Sequence, residues 1–384
     1  MTRLPSSRSS FDLAPNRLAL ALARARQEER AILDLTESNP TRAGLPYARA
    51  TILEALASAD ALLYEPSPFG LWSAREAVAR ELEVDPARVV LTASTSEAYG
   101  FLFKLLCDPG DEVLVPVPSY PLFEHLARLE AVRAVPYRLA YDGRWHVDVD
   151  SLRNAVSQRT RAIVTVSPNN PTGSYLKHDE LAALSSLGLP IVSDEVFASY
   201  PLREEPTRAT TALEAQGTLV FSLGGLSKLA ALPQMKLAWI VVGGDAPDVT
   251  DAMARLEVLA DAYLSVGTPV QHALPHLLAS RVSAESAIQS RTRANLELLR
   301  SRVTGTAGTL LDVEGGWYAT LRVPATRSEE SWVLELLEED GVHVHPGHFF
   351  DFEREAYLVL SLLTPEGIFA EGVGRLVTRL AREG

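Results

Sequence analysis

The chain has 384 residues, of which 47% are hydrophobic and 22% charged, with a formal net charge of −13 and a single cysteine, Cys107. That length holds two or three domains and a core large enough to fold without disulfides or a structural metal, and one cysteine leaves no internal disulfide and fits a reducing compartment. The acidic balance without a basic stripe speaks against nucleic acid; with no apolar signal stretch at the N-terminus and a Leu18-Ala19-Leu20-Ala21-Leu22-Ala23 run too short for a bilayer, the expectation is a soluble cytoplasmic protein with neither nucleic-acid nor membrane partners.

In chain order, an arm to about Pro46 is too short to fold alone. Candidate strands follow at residues 89–91, 112–115, 162–166, 190–193, 219–222 and 237–242, with helical segments at 96–106, 120–129, 149–155 and 179–187 between them. Several of these strands are almost wholly apolar, as in a mostly parallel sheet covered by helices on both faces. The alternation predicts an α/β domain with binding groups at the carboxyl ends of its strands. Past about Pro275 the pattern changes to a long polar helix over 283–303, a strand over 318–323, a helix over 331–339, strands near 342–345 and 357–362, and a last helix. The expected division is an arm over 1–46 packed with the small domain, a large domain over 47–275 and a small α+β domain over 276–384.

Chemistry gathers at the predicted strand ends. In Leu91-Thr-Ala-Ser94-Thr95-Ser96-Glu97, hydroxyls meet a helix start, whose free N–H groups suit a phosphate but equally make an ordinary cap. In Ser167-Pro-Asn-Asn170-Pro-Thr-Gly173, an amide faces a ligand hydroxyl or simply occupies a turn. In Ile191-Val-Ser-Asp194-Glu195-Val-Phe197, an acid stands where it holds a ring nitrogen protonated or caps a helix. In Phe221-Ser-Leu-Gly-Gly-Leu-Ser227-Lys228, a lysine follows a small-residue turn. Burial and nearby positive charge would lower its pKa and free the amine for carbonyl chemistry, whereas a surface loop lysine is the plain alternative. The spacing is not that of a nucleotide P-loop. His343, His345 and His348 could gather round a metal but lack an acidic partner nearby in sequence, and Pro275 interrupts the His272/His276 pair, so no metal is expected.

Together, in this order and spacing, these stretches resemble the pyridoxal-phosphate-dependent aminotransferases of class I/II, the fold-type-I aspartate aminotransferase superfamily, from about Leu35 to the C-terminus. The resemblance implies a fold-type-I α/β transferase with a large, mostly parallel sheet flanked by helices plus a smaller α+β domain. It implies pyridoxal 5′-phosphate as cofactor and ping-pong transfer of an amino group from an amino acid, or related amine, to a keto acid. It also implies a homodimer with active sites at the interface.

By the same resemblance Lys228 is the Schiff-base lysine and proton shuttle, Asp194 the acid on the pyridine nitrogen, Asn170 the amide on the ring oxygen and Tyr120 the stacking aromatic. Ser94, Thr95, Ser96 and Ser227 form the phosphate seat, with Lys236 where the family has an arginine. Tyr64 reaches the phosphate across the interface. Asn39, Arg42 and Trp317 are the candidate substrate contacts.

The chain also departs from the pattern. Lys236 keeps a charge but loses the planar fork, Phe197 replaces a tyrosine that bonds the ring oxygen, and Val359, in Tyr357-Leu-Val359-Leu-Ser361, replaces the arginine that clamps the substrate carboxylate. Either another cation takes over, Arg42 first and Arg354 next, or the substrate is not a standard α-amino acid. The same scaffold also serves β-elimination, decarboxylation or racemisation, and the reading outside catalysis is a cofactor-binding protein that no longer turns over.

Overall fold

The computed structural model describes residues 6–382; residues 1–5 of the expected arm and 383–384 of the expected small domain lie outside them. The arm carries helix α1 (Arg17–Gln27), capped by the Asn16 side chain, which accepts the Ala19 N–H at 2.8 Å. Strand β1 (Leu33–Asp34) and helices α2 (Arg49–Leu56) and α3 (Trp72–Leu82) follow. Then come β2 (Val89–Thr92), α4 (Thr95–Leu106), β3 (Glu112–Val117), α5 (Phe123–Leu129), β4 (Arg133–Tyr141), β5 (Trp145–Val147) and α6 (Val149–Ala155). The chain continues through β6 (Thr160–Val166), α7 (His178–Ser185), β7 (Ile191–Asp194), β8 (Val220–Gly225), α8 (Leu226–Leu229), β9 (Ala238–Gly243), α9 (Ala246–Asp261) and α10 (Thr268–Ala279). The last part holds α11 (Val282–Val303), β10 (Thr309–Leu310), β11 (Tyr318–Arg322), α12 (Glu329–Glu338), β12 (Val342–His343), β13 (His345–Pro346), β14 (Tyr357–Ser361) and α13 (Glu366–Leu380).

Eight strands form one mixed sheet in the order β2-β9-β8-β7-β6-β3-β4-β5. Strand β9 runs antiparallel to both β2 and β8, and β5 antiparallel to β4, while the remaining neighbours are parallel. Hence β2, β3, β4, β6, β7 and β8 all point one way, and their carboxyl ends share one edge. Consecutive residues of the central strands enter opposite cores, because side chains alternate across a sheet. Val113, Val115, Ala162 and Val164 pack with Phe101 and Leu102 of α4 and Leu256 of α9. Leu114 and Ile163 pack with Leu152 of α6 and Leu181 and Leu184 of α7. This two-sided burial explains why these strands read as unbroken apolar runs.

A smaller antiparallel sheet has the order β10-β11-β14-β13. The arm is built onto its surroundings: β1 pairs in parallel with β12, and Leu18, Ala21 and Leu35 share a core with Trp332, Leu336 and Leu360.

Sequence patterning missed or misplaced several elements. The β4–β5 pair was not expected, because Arg133, Pro136 and Arg138 interrupt the apolar pattern. Strand β5 pairs only with residues 139–141, so Pro136 lies where that side of β4 has no ladder to break. The expected single strand over 342–345 is two: β12 joins the arm and β13 joins β14, so His343 and His345 belong to different pairings. Pro275 does not interrupt α10, which runs through it with Val270, Ala273, Leu274, Leu277 and Leu278 buried. That packing outweighs the cost of about 3 kcal/mol that an interior proline carries.

Candidate active site

A cavity of about 320 Å³ opens at the shared carboxyl edge. The end of β2 delivers Ser94, Thr95 and Ser96 to its lining, β6 leads to Asn170, β7 ends in Asp194, and β8 and the turn after it supply Gly225, Ser227 and Lys228. Tyr120 lines it from the loop after β3, and Ala238, the first residue of antiparallel β9, closes the same edge.

Lys228 sits in α8, one short turn beyond β8. The strand ends in two glycines because β9 crosses closely: a methyl group on Gly224 would stand 2.4 Å from the Trp239 indole nitrogen. The backbone around the lysine is pinned by phenols, with Tyr200 donating to the Lys228 carbonyl at 2.6 Å and Tyr47 to the Ala231 carbonyl at 2.8 Å. The amine lies 5.3 Å from the Phe197 ring centre and 4.9 Å from that of Trp317. Burial pushes its pKa down to about 8, against the opposing pull of the Asp194 charge. An amine so placed is a usable nucleophile and base at mildly alkaline pH.

Asp194 takes one donor on each carboxylate oxygen, the Val196 N–H on Oδ1 at 3.3 Å and the Tyr99 hydroxyl on Oδ2 at 3.3 Å. Burial raises its pKa to about 6, and both donors hold it from rising further. Its neighbour Glu195 turns away from this chemistry. That carboxylate is spent on the Ala212 N–H and the Thr211 and Ser222 hydroxyls. Asn170 lines the cavity with its side-chain oxygen buried and unpartnered among the described residues, a polar end that a bound group would satisfy.

The start of α4 is organised for an anion. The Ser94 hydroxyl accepts the Glu97 N–H at 3.2 Å, and the Glu97 carboxylate reaches back to the Ala93 N–H at 2.7 Å, a reciprocal cap. Thr95 and Ser96 at the helix start face the cavity, where free N–H groups and the helix dipole favour negative charge.

The opposite wall comes from the small sheet and the arm. Tyr318 of β11 and Ser38 of the arm line the cavity. Tyr318 pairs with Ser361, Thr320 with Val359, and Val359 also with His345. Cross-strand partners, and residues two apart on a strand, share a face, so these side chains form one row on the face that Tyr318 turns to the cavity. The row carries no charge at neutral pH: burial pushes the Tyr318 phenol up to about 12 and the His345 imidazole down to about 4. Val359 is fully buried.

The two walls are fastened together below the cavity. Gly173, in the loop that carries Asn170, offers its carbonyl to the Glu314 and Gly315 N–H groups at 3.2 and 2.9 Å. Methyl groups would not fit between them: one on Gly173 would lie 2.7 Å from the Gly315 carbonyl, and one on Gly315 2.5 Å from the Tyr175 ring. Beside this contact the buried Glu314 carboxylate binds the Lys177 amine through both oxygens, at 2.8 and 2.7 Å. Arg203 bridges Glu314 at 3.3 Å and Asp312 at 2.9 Å.

The structure thus brings Lys228, Asp194, Asn170, Tyr120, Ser94, Thr95, Ser96 and Ser227 around one cavity. The other candidates lie outside its lining. Lys236 ends a short 3-10 turn in left-handed backbone and is exposed. Tyr64 is 81% exposed, next to Leu62 and Leu63, which are also exposed. Arg42 and Arg354 are exposed as well. Asn39 spends its side-chain oxygen on the N–H and hydroxyl of Thr41, and its neighbour Ser38 faces the cavity instead. Trp317 is wholly buried in a core with Phe197, Tyr200 and Ile288 and supports the wall from behind. His343 bonds Asp34 at 3.2 Å, and His348 bonds Glu329 at 3.3 Å. Sequence reasoning missed Tyr99 and Phe123 as lining residues. The helical spacing of Tyr99 from Thr95 and Ser96 was the available signal for the first.

The sequence profile of the family described as aminotransferase class I and II matches residues 30–368. The chain is 26% identical to a glutamate-pyruvate aminotransferase of Haemophilus influenzae, over 94% of this chain and 92% of that one. It is likewise 26% identical to an alanine aminotransferase of Mycobacterium tuberculosis, over 92% and 86%. The solved alanine aminotransferase of Pyrococcus furiosus superposes with a TM-score of 0.89 at 22% identity, covering 99% of this chain and 100% of that one, and so shares its fold.

Proposed function

The chain belongs to the class I and II aminotransferases, and from that premise we propose that Lys228, Asp194 and Asn170 hold pyridoxal 5′-phosphate, the cofactor of the family, in the cavity at the carboxyl edge. The protein is a transaminase, moving an amino group between amino and keto acids. One observation carries the cofactor assignment: an amine lowered to about 8, an acid and an amide whose oxygen lacks a partner among the described residues converge on one cavity from three different strand ends.

When bound, the cofactor supplies a conjugated ring that draws electrons from the amine-bearing carbon of the substrate. The Lys228 amine would hold the group and, once freed, would carry the proton at Nζ from that carbon to the cofactor's exocyclic carbon. The Asp194 carboxylate keeps a proton on the ring nitrogen. The Asn170 amide meets the ring oxygen, with Phe197 adding no second donor. The first-turn N–H groups of α4, with the Ser94 and Ser227 hydroxyls, bind the phosphate, and Tyr120 covers a ring face. Lys236 contributes charge from outside the lining.

The donor is read as an α-amino acid, a reading supported by relatives named for glutamate, pyruvate and alanine. Its carboxylate is placed at the wall that carries Ser38 and Tyr318, and Arg42 supplies the cation. The Arg42 guanidinium has no hydrogen bond or ion pair among the described residues, and it follows the cavity-lining Ser38 by four positions. A homodimer belongs to the same reading, supported by the exposed run Leu62, Leu63 and Tyr64 (89%, 64% and 81%) beside half-exposed Trp72, which a second copy would cover. A cytoplasmic site of action is supported by the lone Cys107.

A half-reaction screen tests this. The protein is loaded with pyridoxal phosphate, and donors are added singly without an acceptor, including glutamate, alanine and amines that lack a carboxylate. Absorbance then reports conversion to the aminated cofactor. Conversion by α-amino acids is expected. Conversion only by carboxylate-free amines overturns the donor assignment, and failure to take up the cofactor overturns the site.

A further inference from the structure

Asp194 does not stand alone at the end of β7. Tyr99, on the second turn of α4, donates its hydroxyl to Oδ2 while the backbone N–H of Val196 occupies Oδ1. The tyrosine is 2% exposed, and its ring is wedged edge-on against Phe123 at 5.4 Å and tilted against Phe103 at 5.8 Å. Those contacts fix the ring, so the hydroxyl has little freedom to look elsewhere. Burial and the adjacent Asp194 charge push the phenol well above its ordinary pKa of 10, so it remains a donor across the working pH range.

The helix gives this bond a second meaning. The residues of α4 that line the cavity for an anion are Thr95 and Ser96, and Tyr99 follows them by four and three positions, on the same face. One rigid element therefore seats the anion at its N-terminus and, a turn later, grips the acid at the end of a different strand.

We propose that Tyr99 is a positioning residue that holds the Asp194 carboxylate ionised and aimed at the cofactor's ring nitrogen, so that α4 ties the phosphate seat to the nitrogen seat. This rests on the cofactor reading above. The donated hydrogen bond favours the charged carboxylate. Without it the proton shared between Asp194 and the ring nitrogen moves toward Asp194, and the ring is held less tightly. The other ionisable groups whose charge acts on Asp194 or is acted on by it are Lys228 from α8, Glu195, the residue that follows it, and Tyr120 from the loop after β3. None of these donates a hydrogen bond to it.

The test compares pyridoxal phosphate with its 1-deaza analogue, in which a C–H replaces the ring nitrogen, by the dissociation constants of each for the wild type and for Tyr99→Phe. The variant keeps the ring packing and removes one oxygen. Affinity for pyridoxal phosphate should fall about tenfold, as expected for a lost hydrogen bond to a charged group, while affinity for the deaza analogue stays unchanged. Phe103→Leu, which loosens the same ring without touching the hydroxyl, should leave the ratio of the two constants at its wild-type value. In bound cofactor labelled with 15N at the ring nitrogen, Tyr99→Phe should shift the resonance toward the unprotonated position. Equal loss for both ligands, or no change in the ratio, overturns the proposal while leaving the cofactor site intact. Failure of the wild type to bind either ligand overturns the cofactor site itself and this proposal with it.

Discussion

The cavity has two walls built on different principles. One is the carboxyl edge of the eight-stranded sheet, where Asp194 ends a strand and Ser94–Ser96, Asn170 and Lys228 each follow one within a few residues. The other comes from the arm and the small sheet, whose Tyr318 lines the cavity and shares a face with Thr320, Val359, Ser361 and His345 only through strand register. The first wall holds titratable groups moved toward neutrality by burial, and the second is uncharged. Strand ends concentrate chemistry because loops there are free to turn their polar groups inward. A pleat inherits whatever its register lines up. On the proposed reading, the first wall would carry reaction chemistry common to the family and the second would set which substrate is admitted.

The hardest blow to that division is Lys228→Ala, which should lower turnover by at least about a thousandfold, the upper range for a removed acid–base group. Retention of wild-type single-turnover rates would move the chemistry off the first wall. The next largest effect is that of pH. The Lys228 amine is neutral above about 8, so the rate at which the apoprotein captures pyridoxal phosphate should climb about tenfold per pH unit from 6 to 8 and then level. A rate still climbing at pH 10 would mean an ordinary, solvated lysine. Below about 6, protonation of Asp194 should weaken the captured complex further.

The second wall is probed by Val359→Arg. A guanidinium in the uncharged row should raise kcat/KM for α-amino acids over carboxylate-free amines by about tenfold, through charge-assisted hydrogen bonds. An unchanged ratio would remove the pleat as the specificity wall. Smallest is Lys236→Ala, whose exposed charge should alter cofactor affinity by less than about threefold, because solvent screens it.

The same contrast decides what the sequence reveals. Strands β6, β7 and β8 are apolar on both faces and end in short polar motifs, so strand and site residue stand side by side in the text of the chain. Tyr99 was overlooked because its partner, Asp194, is 95 positions away and a tyrosine in an amphipathic helix reads as core. Val359 was noticed only against a family pattern, since its meaning depends on Thr320 and His345 across the sheet. The β4–β5 pair escaped because residues 133–138 of β4 have no strand partner on one side among the described residues and tolerate arginine and proline there, and α10 was broken too early because packing, not local propensity, carries it through Pro275. Hydrophobic periodicity reports burial, and it misses features decided by pairing and packing rather than by the local apolar pattern.

The meeting of Gly173 with Gly315, clasped by Glu314, Lys177 and Arg203, has a mechanical meaning. It is a weld, not a hinge. No side chain fits between the two backbones, and Glu314 and Lys177 are buried, so sliding one loop over the other would break buried hydrogen bonds with nothing to replace them. Any tightening of the second wall over a substrate must pivot elsewhere and carry the Asn170 loop along. Loop exchange between homologous scaffolds must therefore transplant the 167–177 and 312–317 segments as one part.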